Sequence, residues 1–308
     1  MKWKSIKKIL PFFGLILFFY IVYDAGINEI FEIFKKVSPL AILISSILFI
    51  PRFFISTYKW MLICRKQAIE TRYLYLIKIN LIGLFYGSVT PLWIGDYIRA
   101  PYLMEESKRP IHACIINVFI DQIIELASLI FLALFSSILI YRKFPYFLPI
   151  FFSISLIILF LYFIFKEKSK KILSFFKFVI PEKFSSWISP DYIYNFPSIS
   201  FFLLTIFIEI LSYLIMFLQI YIISFSLNIS IPFLDFVLIY SVASLVGIIP
   251  VTIAGFGTRE SVLIYFFSFY GIDSASVIAL SLSGYIITIL IPALFGGIFS
   301  IRKNLKVD

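Results

Sequence analysis

Apolar runs, several of them long enough to cross a lipid bilayer, fill most of this chain. They lie at approximately 9 to 24, 39 to 63, 74 to 92, 111 to 140, 146 to 165, 199 to 226, 233 to 250, 261 to 270 and 275 to 300. A hydrocarbon core about 30 Å thick takes roughly 20 apolar residues per helix, and most of these runs meet that length. With 61% of the 308 residues apolar and 14% charged, no polar stretch is left for a soluble domain. The runs are continuous rather than alternating, which argues against a β-barrel. The expected fold class is all-α, a polytopic transmembrane helix bundle of about six spans plus two inverted re-entrant or broken helix hairpins.

The runs are unequal. That at 261 to 270 is too short to span, and 74 to 92 carries Lys78, Asn80, Gly83, Gly87 and Pro91, a heavy polar and helix-breaking load for a lipid-facing helix. Reading 74 to 92 as one re-entrant segment, and 233 to 250 with 261 to 270 as a second, orders the charges. Residues 1 to 8, 64 to 73, 93 to 110, 166 to 198 and 301 to 308 then form the basic inside segments. The outside loops hold only Lys35, Lys36, Arg142 and Lys143. This positive-inside bias predicts a multi-pass protein of the cell membrane with both termini cytoplasmic. The first hairpin would enter from the cytoplasm and the second from outside; the alternative, in which both segments span fully, places the basic 166 to 198 loop less comfortably. A single membrane domain over 1–308 with a weak inverted repeat, approximately 39–140 and 199–300, is the resulting organisation.

The excess of Lys and Arg, +10 in formal charge, is thereby assigned to lipid head groups and the cytoplasm, with no nucleic-acid partner. Lys2, Lys4, Lys7 and Lys8 precede the first run like a signal peptide, but Asp24-Ala25-Gly26-Ile27 is a poor cleavage site, so an uncleaved first helix is expected. Residues 166 to 183 mix Lys with large apolar residues and read either as an interfacial helix or as a plain cytoplasmic loop. Cys64 and Cys114 suggest neither a disulfide framework nor a metal site. With His112 the only histidine, His-based metal or triad chemistry is excluded, and no cofactor is expected.

The most informative residues sit where apolar runs break. One break contains Thr90, Pro91, Trp93, Gly95, Asp96 and Arg99, and the other Pro250, Thr252, Gly255, Gly257, Thr258, Arg259 and Glu260. Each ends a run with Pro, turns through Gly, and restarts a helix bearing an acid and an Arg. Backbone groups freed by such breaks must be buried in protein or line a polar cavity. Matching interruptions in two halves point to a transporter binding site, where half-helix N-termini favour an anion. Arg259 and Glu260 at membrane depth would need a partner or a role, and the planar fork of Arg suits a phosphate. The alternative is that Asp96 with Arg99, and Glu260 with Arg259, only cap helices and pair with each other.

In the 111 to 140 run, Asn117, Asp121, Glu125 and Ser128 recur at steps of 4, 4 and 3 and share one helix face. The stripe either completes a cavity, with Asp121 or Glu125 countering Arg99 or coupling transport to protons, or ties helices together. Glu209 and Gln219 repeat the pattern more weakly. The Gly255-Phe256-Gly257 segment lacks the third glycine and strand context of a dinucleotide site. The sequon Asn228-Ile229-Ser230 is a short pattern of low specificity.

At these motifs the chain resembles the lysylphosphatidylglycerol synthase transmembrane family, also called flippase-like. Thr90, Pro91, Gly95, Asp96 and Arg99 match its first signature, with Asp where Glu is commoner. Pro250, Gly255, Gly257, Arg259 and Glu260 match its second, and Asp121 with Glu125 matches an acid pair, although Gln122 stands where the family usually has Arg. The resemblance implies the membrane half alone, without aminoacyl transfer, and a lipid flippase-like role. The expected partners are membrane lipids, with an anionic head group or a polyprenyl phosphate. Arg99 and Arg259 would hold the phosphate, and Asp96, Asp121, Glu125 and Glu260 would position them. Two alternatives stand beside this: an intramembrane enzyme with Asp121 or Glu125 as general base, and a scaffold for a lipid-modifying transferase.

Overall fold

The structure is a computed structural model that describes residues 20, 22–24, 26–139, 145–146, 152, 198–248 and 255–302. Described secondary structure is entirely helical, in the order α1 (Ile27–Phe34), α2 (Pro39–Lys66), α3 (Tyr73–Ser88), a 3-10 segment (Pro91–Ile98), α4 (Arg99–Ser107) and α5 (Ile111–Leu139). There follow α6 (Ile199–Ser226), α7 (Phe233–Ile248), α8 (Thr258–Ser268), α9 (Ser274–Tyr285), a π segment (Ile286–Leu290) and α10 (Ile291–Arg302). Among the described residues, four rods are long and apolar enough to cross a membrane: α2, α5, α6 and the continuous Ser274–Ile301. At 1.5 Å per residue, each runs about 40 Å. The expected spans at 9 to 24 and 146 to 165, like the basic loop at 166 to 198, lie outside the described residues or nearly so.

Local chemistry sets the helix ends. Pro39 opens α2 at its first turn, where a missing N–H is harmless. At the other end Ala68 is left-handed (φ 54), the Ala68 N–H reaches the Arg65 carbonyl and the Ile69 N–H reaches the Cys64 carbonyl at 2.8 Å. This Schellman closure also buries Ile69. The same closure recurs in α6, with Asn228 left-handed (φ 55) and Ile229 N–H on the Ser224 carbonyl at 3.0 Å. From there the chain repeats itself at a constant offset of 160: α2 and α6 both have 28 residues, α3 and α7 both have 16, and Arg99 and Arg259 follow each break.

Both breaks are hairpin tips. In the first, the 3-10 segment and α4 fold back along α3, with Tyr75 Oη donating to the Tyr102 carbonyl at 3.1 Å and Arg72 pairing with Glu106 at 3.2 Å near the base. Thr90 Oγ1 donates to the Tyr86 carbonyl and accepts from Gly95 N–H, which stitches the tip. A side chain at Gly95 would collide with the Tyr86 carbonyl, so only glycine fits there. The chain therefore leaves the hairpin on the side where it entered. In the second hairpin Gly255 and Gly257 turn at φ 77 and 88, α8 runs back along α7, and Tyr270 Oη meets Asp235 at 2.5 Å near the base. Pro250, expected at this turn, lies outside the described residues.

Most of residues 93 to 110 is helical, as the expected restart after the break requires, and forms the return arm of the first hairpin with Arg99 buried in it. Counting hydropathy over 74 to 92 captured the entering arm alone. The return arm is too polar to register as apolar, yet it is shielded by α3 and α5.

Each short helix packs across to the other repeat: α3 lies on α10, and α7 lies on α5. Gly296 and Gly297 permit the first contact, bringing α10 against the Leu81 carbonyl and the Phe85 ring, and Tyr86 Oη meets Ser300 Oγ at 2.9 Å. The residues 160 earlier, Ser136 and Ser137, are likewise small and buried on α5. Small residues are what close helix approach in a membrane requires. Gly296→Ala is therefore expected to destabilise the fold by about 1–3 kcal/mol, the usual range for overpacking, since backbone stands against backbone there. Thermal unfolding in detergent would check this, and an unchanged midpoint would show that α10 shifts freely.

Candidate functional site

The two hairpin tips meet in one cavity of about 440 Å³. Trp93, Asp96 and Arg99 reach it from the first tip and Gly247, Gly255 and Arg259 from the second. Helix α2 adds Arg52 and Ser56, α5 adds Gln122 and Glu125, and α6 adds Glu209 and Tyr213. Apolar side chains such as Phe49, Phe119, Leu126 and Met216 complete the wall.

An ion-pair network underlies one side. Lys59, fully buried, places its ammonium 2.8 Å from Asp121, 2.9 Å from Glu209 and 3.2 Å from Glu125. Asp121 uses its other oxygen to accept from Arg99 at 2.9 Å. Arg99 also pairs with Asp96, donates to Asn80 Oδ1 at 3.2 Å, and lies over the Trp60 ring at 4.6 Å. With its guanidinium so occupied, the Arg99 side chain is only 2% exposed. A buried charge costs several kcal/mol unless it is paired and hydrogen-bonded, and this network provides both.

The expected stripe on α5 divides. Asn117 is a tie, accepting from Trp60 Nε1 at 2.8 Å and donating to Gln67 at 2.7 Å, and Ser128 bonds the carbonyls of Ile124 and Ile206. Asp121 holds two cations. Glu125 faces the cavity with 34% of its side chain exposed. Gln122, which stands where the resemblance places an Arg, donates to Asp96 at 3.3 Å.

The second half is built differently. Arg259, 14% exposed, lies 5.7 Å from the Phe256 ring centroid and 5.6 Å from that of Tyr285, and donates to Glu260 at 2.7 Å. Glu260 is fully buried, and its carboxylate accepts from Gly257 N–H and Ser281 Oγ, each at 2.7 Å. It caps the start of α8, as the capping alternative has it, and holds Arg259 in place rather than reaching the cavity.

Sequence reasoning left out two cations, Arg52 and Lys59. Ser45, Arg52, Ser56 and Lys59 fall at steps of 7, 4 and 3, so the test that exposed the α5 stripe would have found them on one face of α2. Arg52 donates to the Thr288 carbonyl at 3.0 Å, within the π segment, and stacks on Phe49. Helices α2 and α6 run antiparallel across this layer, with Ser45 and Gln219 exchanging hydrogen bonds at 2.8 and 2.6 Å and Ser56 donating to Glu209 at 3.2 Å.

Comparison with known proteins agrees with the motifs. A UPF0104 membrane protein of Methanocaldococcus jannaschii is 23% identical, over 92% of this chain and 90% of its own length. Residues 8–296 match the lysylphosphatidylglycerol synthase TM region. Long apolar rods, two hairpins meeting tip to tip, and a match over nearly the whole chain make this a membrane protein of the lysylphosphatidylglycerol synthase TM region family.

Proposed function

We propose that the cavity between the hairpin tips holds the anionic head group of a membrane lipid, a phospholipid or an isoprenoid phosphate, and passes it across the bilayer while the tails remain in hydrocarbon. The supporting observation is that Arg259 faces the cavity on an aromatic platform, whereas Arg99 is engaged by Asp96, Asp121 and Asn80. A guanidinium in such a setting can donate two parallel hydrogen bonds to a phosphate. We further read the two units, approximately 39–140 and 199–300, as an inverted pair with hairpins entering from opposite faces of the cell membrane and both termini cytoplasmic. The antiparallel α2–α6 crossing and the exchanged short helices support that reading.

Native mass spectrometry in the presence of phosphatidylglycerol, a polyprenyl phosphate and phosphatidylcholine tests the binding. Preference for the two anionic lipids is expected, with Arg259→Ala reducing affinity about 10- to 100-fold, the worth of one charged hydrogen bond. Labelled lipids in liposomes test passage. Equal binding of all three lipids, unaffected by Arg259→Ala, would remove the proposal.

A further inference from the structure

We infer that the two repeats have divided their work: the first carries a proton on Glu125, the second holds the anion on Arg259, and the two events favour each other in the shared cavity. This rests on the reading of the cavity as a head-group site. At the constant offset of 160, Asp96 corresponds to Phe256, Asp121 to Ser281 and Glu125 to Tyr285. The three carboxylates that surround Arg99 and the cavity in the first half are thus replaced by neutral groups in the second. Arg99 is held by two acids, Asp96 and Asp121, while Arg259 has Glu260 as its acid partner and lies beside the Phe256 and Tyr285 rings.

Charge counting selects the proton carrier. Glu125 on α5 is faced by Lys59 and Arg52 from α2, Arg99 from α4, Asp96 from the 3-10 segment, Glu209 and Tyr213 from α6, and its own neighbour Asp121. Helix α7 adds only the neutral Ser244 to the polar lining. Around Glu125 three cations thus meet four carboxylates, while across the cavity Arg259 is balanced by its own partner Glu260, so one negative charge is left over beside Glu125 and is relieved by a proton. Asp121 touches both Lys59 and Arg99, Asp96 has Arg99 and Gln122, and Glu209 has Lys59 at 2.9 Å and Ser56. Glu125 has the longest pairing of the four, 3.2 Å to Lys59, and it opens on the cavity from which a proton would come.

A proton on Glu125 removes a negative charge from the space the head group enters. Anion binding and proton uptake then strengthen each other by the same factor. One proton is taken up per anion bound, moving from water to a Glu125 carboxylate oxygen.

The test uses full-length protein in detergent with short-chain phosphatidylglycerol as probe. Affinity should weaken as pH rises, by up to about tenfold per pH unit, the limit for one linked proton. Glu125→Gln should bind with a flat pH profile, and Glu125→Asp should keep a slope. Infrared difference spectra of the lipid-free protein between acid and neutral pH should show a protonated-carboxyl band that is absent in Glu125→Gln. A flat wild-type profile, or equal slopes in Glu125→Gln and wild type, overturns the inference and leaves the head-group reading standing. Absence of phosphatidylglycerol binding at every pH overturns the linkage together with that reading. In that case a band lost in Glu125→Gln would leave only the proton site.

Discussion

Lys59→Met is expected to destabilise the protein by about 3–5 kcal/mol, the range for removing one partner from a buried ion pair. The substitution keeps the bulk of the side chain but deletes the ammonium that Asp121, Glu125 and Glu209 share. Asp121 retains Arg99 and Glu125 opens on the cavity, whereas the buried Glu209 retains only the Ser56 hydroxyl and is left worst off. Adding Glu209→Gln to Lys59→Met should therefore recover part of the loss, giving a double variant more stable than the sum of the single changes implies. Unfolding midpoints in detergent decide it. Strict additivity would show that the carboxylates reach water in the folded protein and that the network carries little energy.

Arg99→Ala should be comparably damaging, again about 3–5 kcal/mol, because it strips Asp96 of its cation and leaves only Gln122 beside it. Arg99→Lys should rescue little, since one compact ammonium cannot span Asp96, Asp121 and Asn80 in the geometry of a planar fork. The counterpart substitution, Arg259→Ala, should leave far more of the stability in place, because Glu260 keeps Gly257 N–H and Ser281. Circular dichroism melts of the two variants side by side measure the contrast. Equal losses would mean that both arginines are structural and would weaken the head-group reading.

Much of this architecture is legible in the residue order. The apolar runs foretell the described rods, and Gly95, Gly255 and Gly257 mark the turns, because helix length and backbone freedom are local properties. The polar stripe on one face of α5 brings Asp121 and Glu125 forward as partners for Arg99, and the distances select Asp121. Lys59 and Arg52 escape because averaging over a 28-residue apolar helix hides two cations, and only their common face reveals them. The helical restart in 91 to 107 is legible as well, but the burial of this return arm is not, because its polarity gives no hydropathy signal and its cover comes from α3 and α5. The engagement of Arg99, and the role of Glu260 as a cap, depend on distances that no spacing rule supplies.

The exchange of short helices between repeats has a consequence for synthesis. Helix α3 is complete at Ser88, but the glycine face that receives it on α10 begins about two hundred residues later. At ordinary elongation rates that interval is roughly ten to forty seconds. Throughout it the nascent first half holds Asn80 and the Arg99–Asp121 pair in a hairpin bare on one side. Closure of the first half awaits α10, so removing that helix strikes the earliest helices of the chain as hard as the latest.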